Sequence, residues 1–142
     1  MIKQSFITAS LLFALTACQS TDLSQQTQVK DLAIEGTWHI EVANGQAVID
    51  YSPAKLTFEA EGQLSGNNSC NNFFGRYALS GNSLQLQPAG YTRKACVEAL
   101  MAQEQQVMQT MHNVTQAALT KGKLLLQDVD DKTLLVLSKT TK

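Results

Sequence analysis

The chain has 142 residues, with eleven Lys and Arg against twelve Asp and Glu and a formal net charge of −1. This length suits a single domain, because domains average about 100–200 residues. The balanced charge excludes a basic nucleic-acid-binding protein, which needs clustered cations to displace phosphate counterions. With 44% hydrophobic and 16% charged residues, the composition also excludes a charge-driven disordered chain.

The first residues are typical of a secretory signal peptide. Lys3 supplies a positive charge, and the apolar stretch over residues 6–15 is too short to span a bilayer, which takes about 20 helical residues. The next segment, Leu15-Thr16-Ala17-Cys18, resembles the bacterial lipobox, in which the cysteine thiol is lipidated before cleavage. An ordinary signal followed by an unrelated cysteine is the alternative. We predict a lipoprotein signal peptide over residues 1–17 and lipidation of Cys18.

The residues after Cys18 favour the outer membrane as the destination. Gln19 and Ser20 follow, with no Asp at the position next to the cysteine, which in Gram-negative lipoproteins usually directs sorting to the outer membrane. Residues 18–33 are polar, rich in Gln, Thr and Ser and without a period, as in a flexible tether. We predict a protein that is lipid-anchored in the outer membrane, with its domain, residues 34–142, facing the periplasm.

The three cysteines fit this assignment. Lipidation accounts for Cys18, which leaves Cys70 and Cys96, 26 residues apart, as an even pair in an oxidising compartment. Closing that loop would contribute about 3.5 kcal/mol in the chain-entropy model. Two separate buried thiols are the alternative, and we predict the disulfide.

From Gly36 onward, segments that alternate apolar and polar residues predict short antiparallel strands joined by turns such as Asn44-Gly45. One region differs, because apolar residues at spacings of three, four and seven predict an amphipathic helix over about 97–112. The predicted class is α+β and mostly β. We expect a strongly curved antiparallel sheet or partial β-barrel of about eight strands, with the helix covering one opening. The predicted strands lie over residues 37–42, 55–60, 63–66, 75–79, 83–87, 115–120, 123–127 and 133–137.

Two segments are candidates for a functional site. The Asn-rich run over residues 65–77 is either a polar ligand pocket or, as we favour, a tight structural loop that Cys70 fixes in place. Met101, Met108 and Met111 form a stripe at helical spacing. Such a stripe is usually core packing, and its functional alternative is an adaptable hydrophobic groove.

Catalytic and metal-binding patterns are lacking in the sequence. His39 and His112 have no cysteine or carboxylate at metal or triad spacing. Arg93 and Lys94 either contact an anion or form a solvated pair. We therefore predict no enzyme, no catalytic residues, no metal and no cofactor.

The motifs of the domain, in their order and spacing, resemble those of the META-domain family, also called HslJ-like, over about residues 34–139. The motifs that carry the resemblance are Gly36-Thr37-Trp38, Leu56-Thr57-Phe58, Gly66-x-x-x-Cys70-Asn71-x-Phe73-x-Gly75-x-Tyr77 and Thr92-Arg93-Lys94-Ala95-Cys96. The resemblance implies a structural role for the signature positions Trp38, Asn71, Phe73, Gly75, Tyr77 and Thr92. It also implies a β-barrel-like fold with a helix, in secreted or membrane-anchored bacterial proteins without enzymatic activity.

Members of this family have been linked to the heat-shock response, to novobiocin tolerance and to motility or secretion, and the fold also resembles lipid-binding pilot lipoproteins. Two hypotheses follow. The first is a non-catalytic envelope-stress lipoprotein that binds another envelope protein through an exposed apolar groove. The second is a carrier of a small apolar molecule or lipid, whose barrel would be hollow. The large apolar residues of the predicted strands favour a filled interior.

Replacing Cys18 by Ala, in a chain exported with an ordinary cleavable signal in place of residues 1–17, should move the protein from the membrane fraction to the soluble fraction, because the acyl chains provide the anchor. Mass spectrometry of the natural protein should show the acyl mass on Cys18. A free Cys18 thiol on a membrane-bound chain would contradict the prediction.

Overall fold

The computed structural model describes residues 30–141, so the predicted signal peptide, Cys18 and most of the predicted tether lie outside the described residues. One sheet of nine antiparallel strands and one helix, α1, make up the fold. The elements are β1 (Gly36–Ala43), β2 (Gln46–Ala47), β3 (Lys55–Phe58), a 3-10 turn (Ala60–Gly62), β4 (Gln63–Asn67), β5 (Asn72–Ser80), β6 (Ser83–Tyr91), α1 (Glu98–Met111), β7 (Gln116–Thr120), β8 (Lys123–Gln127) and β9 (Thr133–Lys139).

The sheet curves until its first long strand meets its last. The strand order is β2-β1-β3-β4-β5-β6-β7-β8-β9, and β1 also pairs with β9, from Trp38 with Lys139 to Ala43 with Leu135. The ring is irregular, because β6 pairs with β7 only where Ser83 faces Gln116. The predicted mostly β class and curved sheet are confirmed, and the two-residue strand β2 is an addition to the eight that were expected.

The helix lies across one end of the ring, which we call the helix end. There the Gln106 side chain donates a hydrogen bond to the carbonyl of Ala43, at the end of β1. At the opposite end, the turn end, the Leu32 amide donates to Gly81 O in the β5–β6 turn, and the Gly81 amide donates to the Asp31 carboxylate. Residues 31–33, which the sequence analysis placed in the tether, therefore pack with the domain.

Inward-facing side chains fill the ring. Because side chains alternate between the two faces of a strand, one set of residues from each strand points inside the ring. The indole of Trp38 is among them, and its buried N–H is satisfied by the carbonyl of Ile34 at 2.7 Å. The interior therefore has the composition of a packed core rather than of a hollow carrier. The large side chains buried there include Phe58, Leu64, Leu84, Leu86, Leu124, Leu126, Leu135 and Leu137.

The predicted helix agrees with the structure, whereas the predicted loop is much shorter there. The helix was predicted over 97–112 and spans Glu98–Met111, so its position is confirmed within a residue at each end. The Asn-rich run was predicted as a loop over 65–77, but only residues 68–71 form a turn. Asn and Gly residues suggested a loop, yet Asn67 and Asn72 pair with each other across β4 and β5. Gly66 lies in β4, where it permits close packing between β3 and Phe73.

Replacing Gly66 by Ala should lower the free energy of unfolding by about 2–3 kcal/mol or more through overpacking. A Cβ atom at this position would lie 2.2 Å from the carbonyl oxygen of Lys55 and 2.8 Å from the ring of Phe73. Urea unfolding measures the change. The control is Gly45→Asn in the β1–β2 turn, where no atom lies within 4 Å of the new Cβ and Asn tolerates a positive φ. Equal stability of the two variants would refute the packing argument.

Candidate functional site

An open groove lies at the helix end, between the outer face of α1 and the segment that leads from β6 into the helix. We call it the helix-end groove; its volume is about 690 Å³. Apolar side chains and cations both contribute to its lining. The lining includes Tyr91, Arg93, Lys94, Met101, Met108 and His112.

The helix presents two different faces to the groove and to the ring. Met101 and Met108 are seven residues apart, which places them on one side of α1, and both line the groove. Val107 and Met111 point to the ring and are fully buried. The prediction that Met111 belongs to the groove is therefore wrong, because Met111 lies on the face of the helix that packs against the core.

The apolar lining of the groove is open to solvent. Met101 is 45% exposed and Tyr91 is 52% exposed, whereas Met108 is partly buried against the core. Tyr91 pairs with Phe73 at the last position of β6. Tyr91 is not predicted as part of the site, because the apolar–polar alternation of this strand stops at Gln87, before Pro88. The sequence feature that could have identified Tyr91 is its position directly before the motif Thr92–Cys96.

Asn71 fixes the segment that forms the other wall of the groove. Its Oδ1 accepts hydrogen bonds from the hydroxyl of Thr92 at 2.8 Å and from the backbone N–H of Lys94 at 2.7 Å. Its Nδ2 donates to the carboxylate of Glu104 on α1 at 2.9 Å. A single buried amide thus connects the turn before β5, the groove wall and the helix.

The disulfide ties the same segment a second time. Cys70 and Cys96 are joined, with their Cα atoms 5.9 Å apart. Cys70 lies in the buried turn, and Cys96 lies two residues before the start of the helix. Although residues 92–95 are exposed, both ends of this stretch are therefore held against the turn.

The turn at residues 68–71 is itself closed by amide side chains. The Asn68 backbone N–H donates to the Asn71 carbonyl, and the Asn68 Oδ1 accepts the Asn71 N–H at 2.8 Å. The Asn68 Nδ2 donates to Glu104 at 3.2 Å. The Oδ1 of Asn67 accepts the N–H of Ser69, which has a φ of 112°. These amides are occupied within the protein, which supports the structural interpretation of the Asn-rich run over a ligand pocket.

A second buried polar contact attaches the helix to the turn. Gln103 donates from its Nε2 to the hydroxyls of Ser52 and Ser69, each at 2.7 Å. Its Oε1 accepts the backbone N–H of Ile49 at 2.9 Å. A polar residue can face the core at this position because its hydrogen-bonding groups are satisfied there.

The remaining signature residues pack within the ring. A Cβ at Gly75 would lie 2.2 Å from the carbonyl oxygen of Gln87, so the β5–β6 pairing requires glycine. The Tyr77 ring meets Phe58 edge to face at 5.1 Å, and its hydroxyl donates to the Glu59 carbonyl. Burial, with a smaller contribution from a nearby carboxylate, raises the pKa of Tyr77. Trp38 and Phe73 belong to the core.

Within residues 30–141, the cations of the helix-end groove have no carboxylate partner. Among the described residues the structure contains one ion pair, between Lys123 and Glu41, and the hydrogen bond from Lys123 lowers the pKa of Glu41. Arg93 and Lys94 are exposed and take no part in an ion pair of residues 30–141. Their charges are therefore available to a ligand.

A second depression, of about 790 Å³, lies at the turn end. Its cations already have acceptors within the chain. Arg76 donates to the carbonyl of Glu61 at 2.7 Å, while Lys139 donates to the carbonyl of Glu35 at 2.9 Å and lies over the ring of Trp38. The Lys139 contact, with those of Asp31 and Leu32, fastens residues 31–35 to the ring at this depression.

The described residues, 30–141, contain neither a metal-binding cluster nor a membrane-spanning helix. There, no three His, Cys, Asp or Glu side chains are grouped to bind a metal ion. No helix within residues 30–141 combines the length and apolar character needed to cross a membrane.

Comparisons with known proteins agree with this fold. A solved structure determined by NMR is 26% identical, with a TM-score of 0.55, over 73% of this chain and 88% of its own. An NMR structure of a protein from Burkholderia xenovorans is 22% identical, with a TM-score of 0.61, over 76% of this chain and 83% of its own; it supports the fold alone. No curated protein matches the chain significantly.

The sequence family gives the most direct assignment. The family model described as the META domain matches residues 30–141, which is the whole of the described domain. The motifs quoted above lie in that range, and most of their residues have structural roles in the ring or the turn. The chain belongs to the META-domain family.

Proposed function

We propose that this chain is a non-catalytic lipoprotein of the bacterial outer membrane whose META domain, in the periplasm, binds another envelope protein through the helix-end groove. The observation that carries the proposal is the exposed apolar surface of Met101 and Tyr91 between two fixed walls. Grouped exposed apolar side chains in a concave surface mark interaction sites. Methionine suits such a site because its flexible thioether adapts to a partner.

The fixed walls favour binding. Asn71, the disulfide and Gln103 hold the groove in one arrangement before any partner arrives. A preorganised site loses less conformational entropy on association, so more of the contact energy appears as affinity. The buried polar turn therefore holds the groove in shape, and the exposed side chains of the groove contact the partner.

The predicted anchor suits this arrangement. Cys18 precedes Lys30 by twelve residues, and residues 31–35 lie at the turn end, opposite the groove. A chain anchored through Cys18 would enter the domain at the turn end and present the helix end to the periplasm. The lipobox-like sequence and the residues after it are what support the outer-membrane assignment.

The physiological role that we propose is envelope stress tolerance, including tolerance of novobiocin, because the family resemblance implies it. The hollow-carrier hypothesis gains no support from the described residues, whose large side chains fill the ring. The proposal that the protein is not an enzyme rests on the structural use of the signature residues and on the absence of a nucleophile–base pattern in the sequence.

The test is site-specific photo-cross-linking in living cells, with a photoreactive amino acid in place of Gln105 or Gln109 on the groove side of α1. We expect a discrete protein adduct at these positions. The control position is Lys121, which is exposed in the β7–β8 turn. Adding Met101→Gln should weaken the adduct, because it makes an exposed apolar side chain of the groove polar at similar size.

Two outcomes would count against the proposal. The first is the absence of any protein adduct at the groove positions while the chain is folded and correctly located. The second is the same adduct at Lys121 with equal yield, since random collision rather than docking would then explain it.

A further inference from the structure

We propose that the helix-end groove takes an acidic, amphipathic segment of the protein partner. The apolar side chains of that segment would lie on Tyr91, Met101 and Met108, and its carboxylates would face Arg93 and Lys94. This inference rests on the proposed function, and it names the chemistry of the partner that the groove recognises.

The charge of the groove differs from that of the domain. Residues 30–141 carry nine Lys and Arg against eleven Asp and Glu, so the domain is slightly negative. The groove lining has two cations, Arg93 and Lys94, against a single carboxylate, Glu104. Complementary charge improves the rate and specificity of association, so this local excess favours an acidic partner.

The carboxylate of Glu104 lines the groove but is already hydrogen-bonded within the chain. Its two oxygens accept hydrogen bonds from the side-chain amides of Asn68 and Asn71, at 3.2 and 2.9 Å. Those contacts belong to the turn and hold the carboxylate there. The excess charge offered to a ligand is therefore that of Arg93 and Lys94. The side chain of Asn71 holds the Lys94 backbone in place, since it accepts the Lys94 N–H and donates to the Lys94 carbonyl.

The apolar lining sets the size of the segment. The helix rises about 16 Å between Met101 and His112, at 1.5 Å per residue. That distance matches about three turns of a bound helix or five residues of a bound strand. Two or three apolar side chains would fill such a length, with acidic residues at the end that meets Arg93.

A peptide fits the groove better than a small apolar molecule or a membrane. Small-molecule sites enclose about 70–90% of the ligand, whereas Tyr91 and Met101 are about half exposed in this open groove. The groove also lies opposite the turn end, where the predicted anchor would enter the domain. A segment of another protein is therefore the occupant to which we commit.

The experiment uses the mature chain, residues 18–142, with Cys18→Ser so that lipidation plays no part. A displayed library of random peptides of about 12 residues is enriched on this chain, and the affinities of the enriched peptides are measured by fluorescence anisotropy. We expect peptides with net negative charge and two or three apolar residues. The variant Arg93→Glu with Lys94→Glu should weaken them about tenfold or more, by charge repulsion.

The control reverses two exposed cations outside the groove, Lys30→Glu with Lys121→Glu, and should leave the affinities within about twofold. The charge-reversed groove should in turn select peptides of net positive charge. A second variant, Met101→Gln, should weaken acidic peptides without changing their charge preference.

Different failures identify different errors. The claim that the partner segment is acidic would be overturned if the enriched peptides were neutral or basic, or if they bound both charge-reversed variants equally. The proposal of a protein-binding groove would then still stand. If no peptide distinguishes the chain from Met101→Gln, the groove is not a peptide site and the proposed function fails with it. Groove-dependent binding to phosphatidylglycerol vesicles in place of peptides would assign the surface to membranes and overturn the proposal.

Discussion

The buried turn at residues 68–71 is the constraint on which the helix end depends. It links elements that are distant in sequence, because Asn71 reaches both Lys94 and Glu104, and Ser69 reaches Gln103. An unsatisfied buried polar group costs about 1–3 kcal/mol. Each group in the turn therefore needs its partners, and satisfying them fixes the helix and the groove wall together.

Local patterns made the strands predictable. Alternation and turn residues located β1, β8 and the helix within a residue or two. Closure of the ring through β1 and β9 could not be predicted in this way, because it pairs Trp38 with Lys139 across most of the domain. Such pairing depends on sheet twist and on the whole core, which no short window of sequence contains.

The site was harder to predict than the fold, for a related reason. Apolar spacing identified the helix but misassigned Met111, because the buried face also includes the polar residues Gln103 and Thr110. Gln103 can be buried only because Ser52 and Ser69 meet it from separate loops. The residues of the family motifs therefore mostly build the ring and the turn. The surface that we assign to recognition lies mostly at positions outside those motifs, including Tyr91 and Met101.

Amide hydrogen exchange of Asn71→Ala tests most directly whether the turn holds the groove. The Lys94 N–H should exchange about tenfold faster or more than in the natural chain, because its acceptor is lost. Amides of β8 and β9 should keep their protection if the ring stays folded. The control is Asn113→Ala, which removes an exposed hydrogen bond to Gln109. Unchanged protection of Lys94 in Asn71→Ala would contradict the role assigned to the turn.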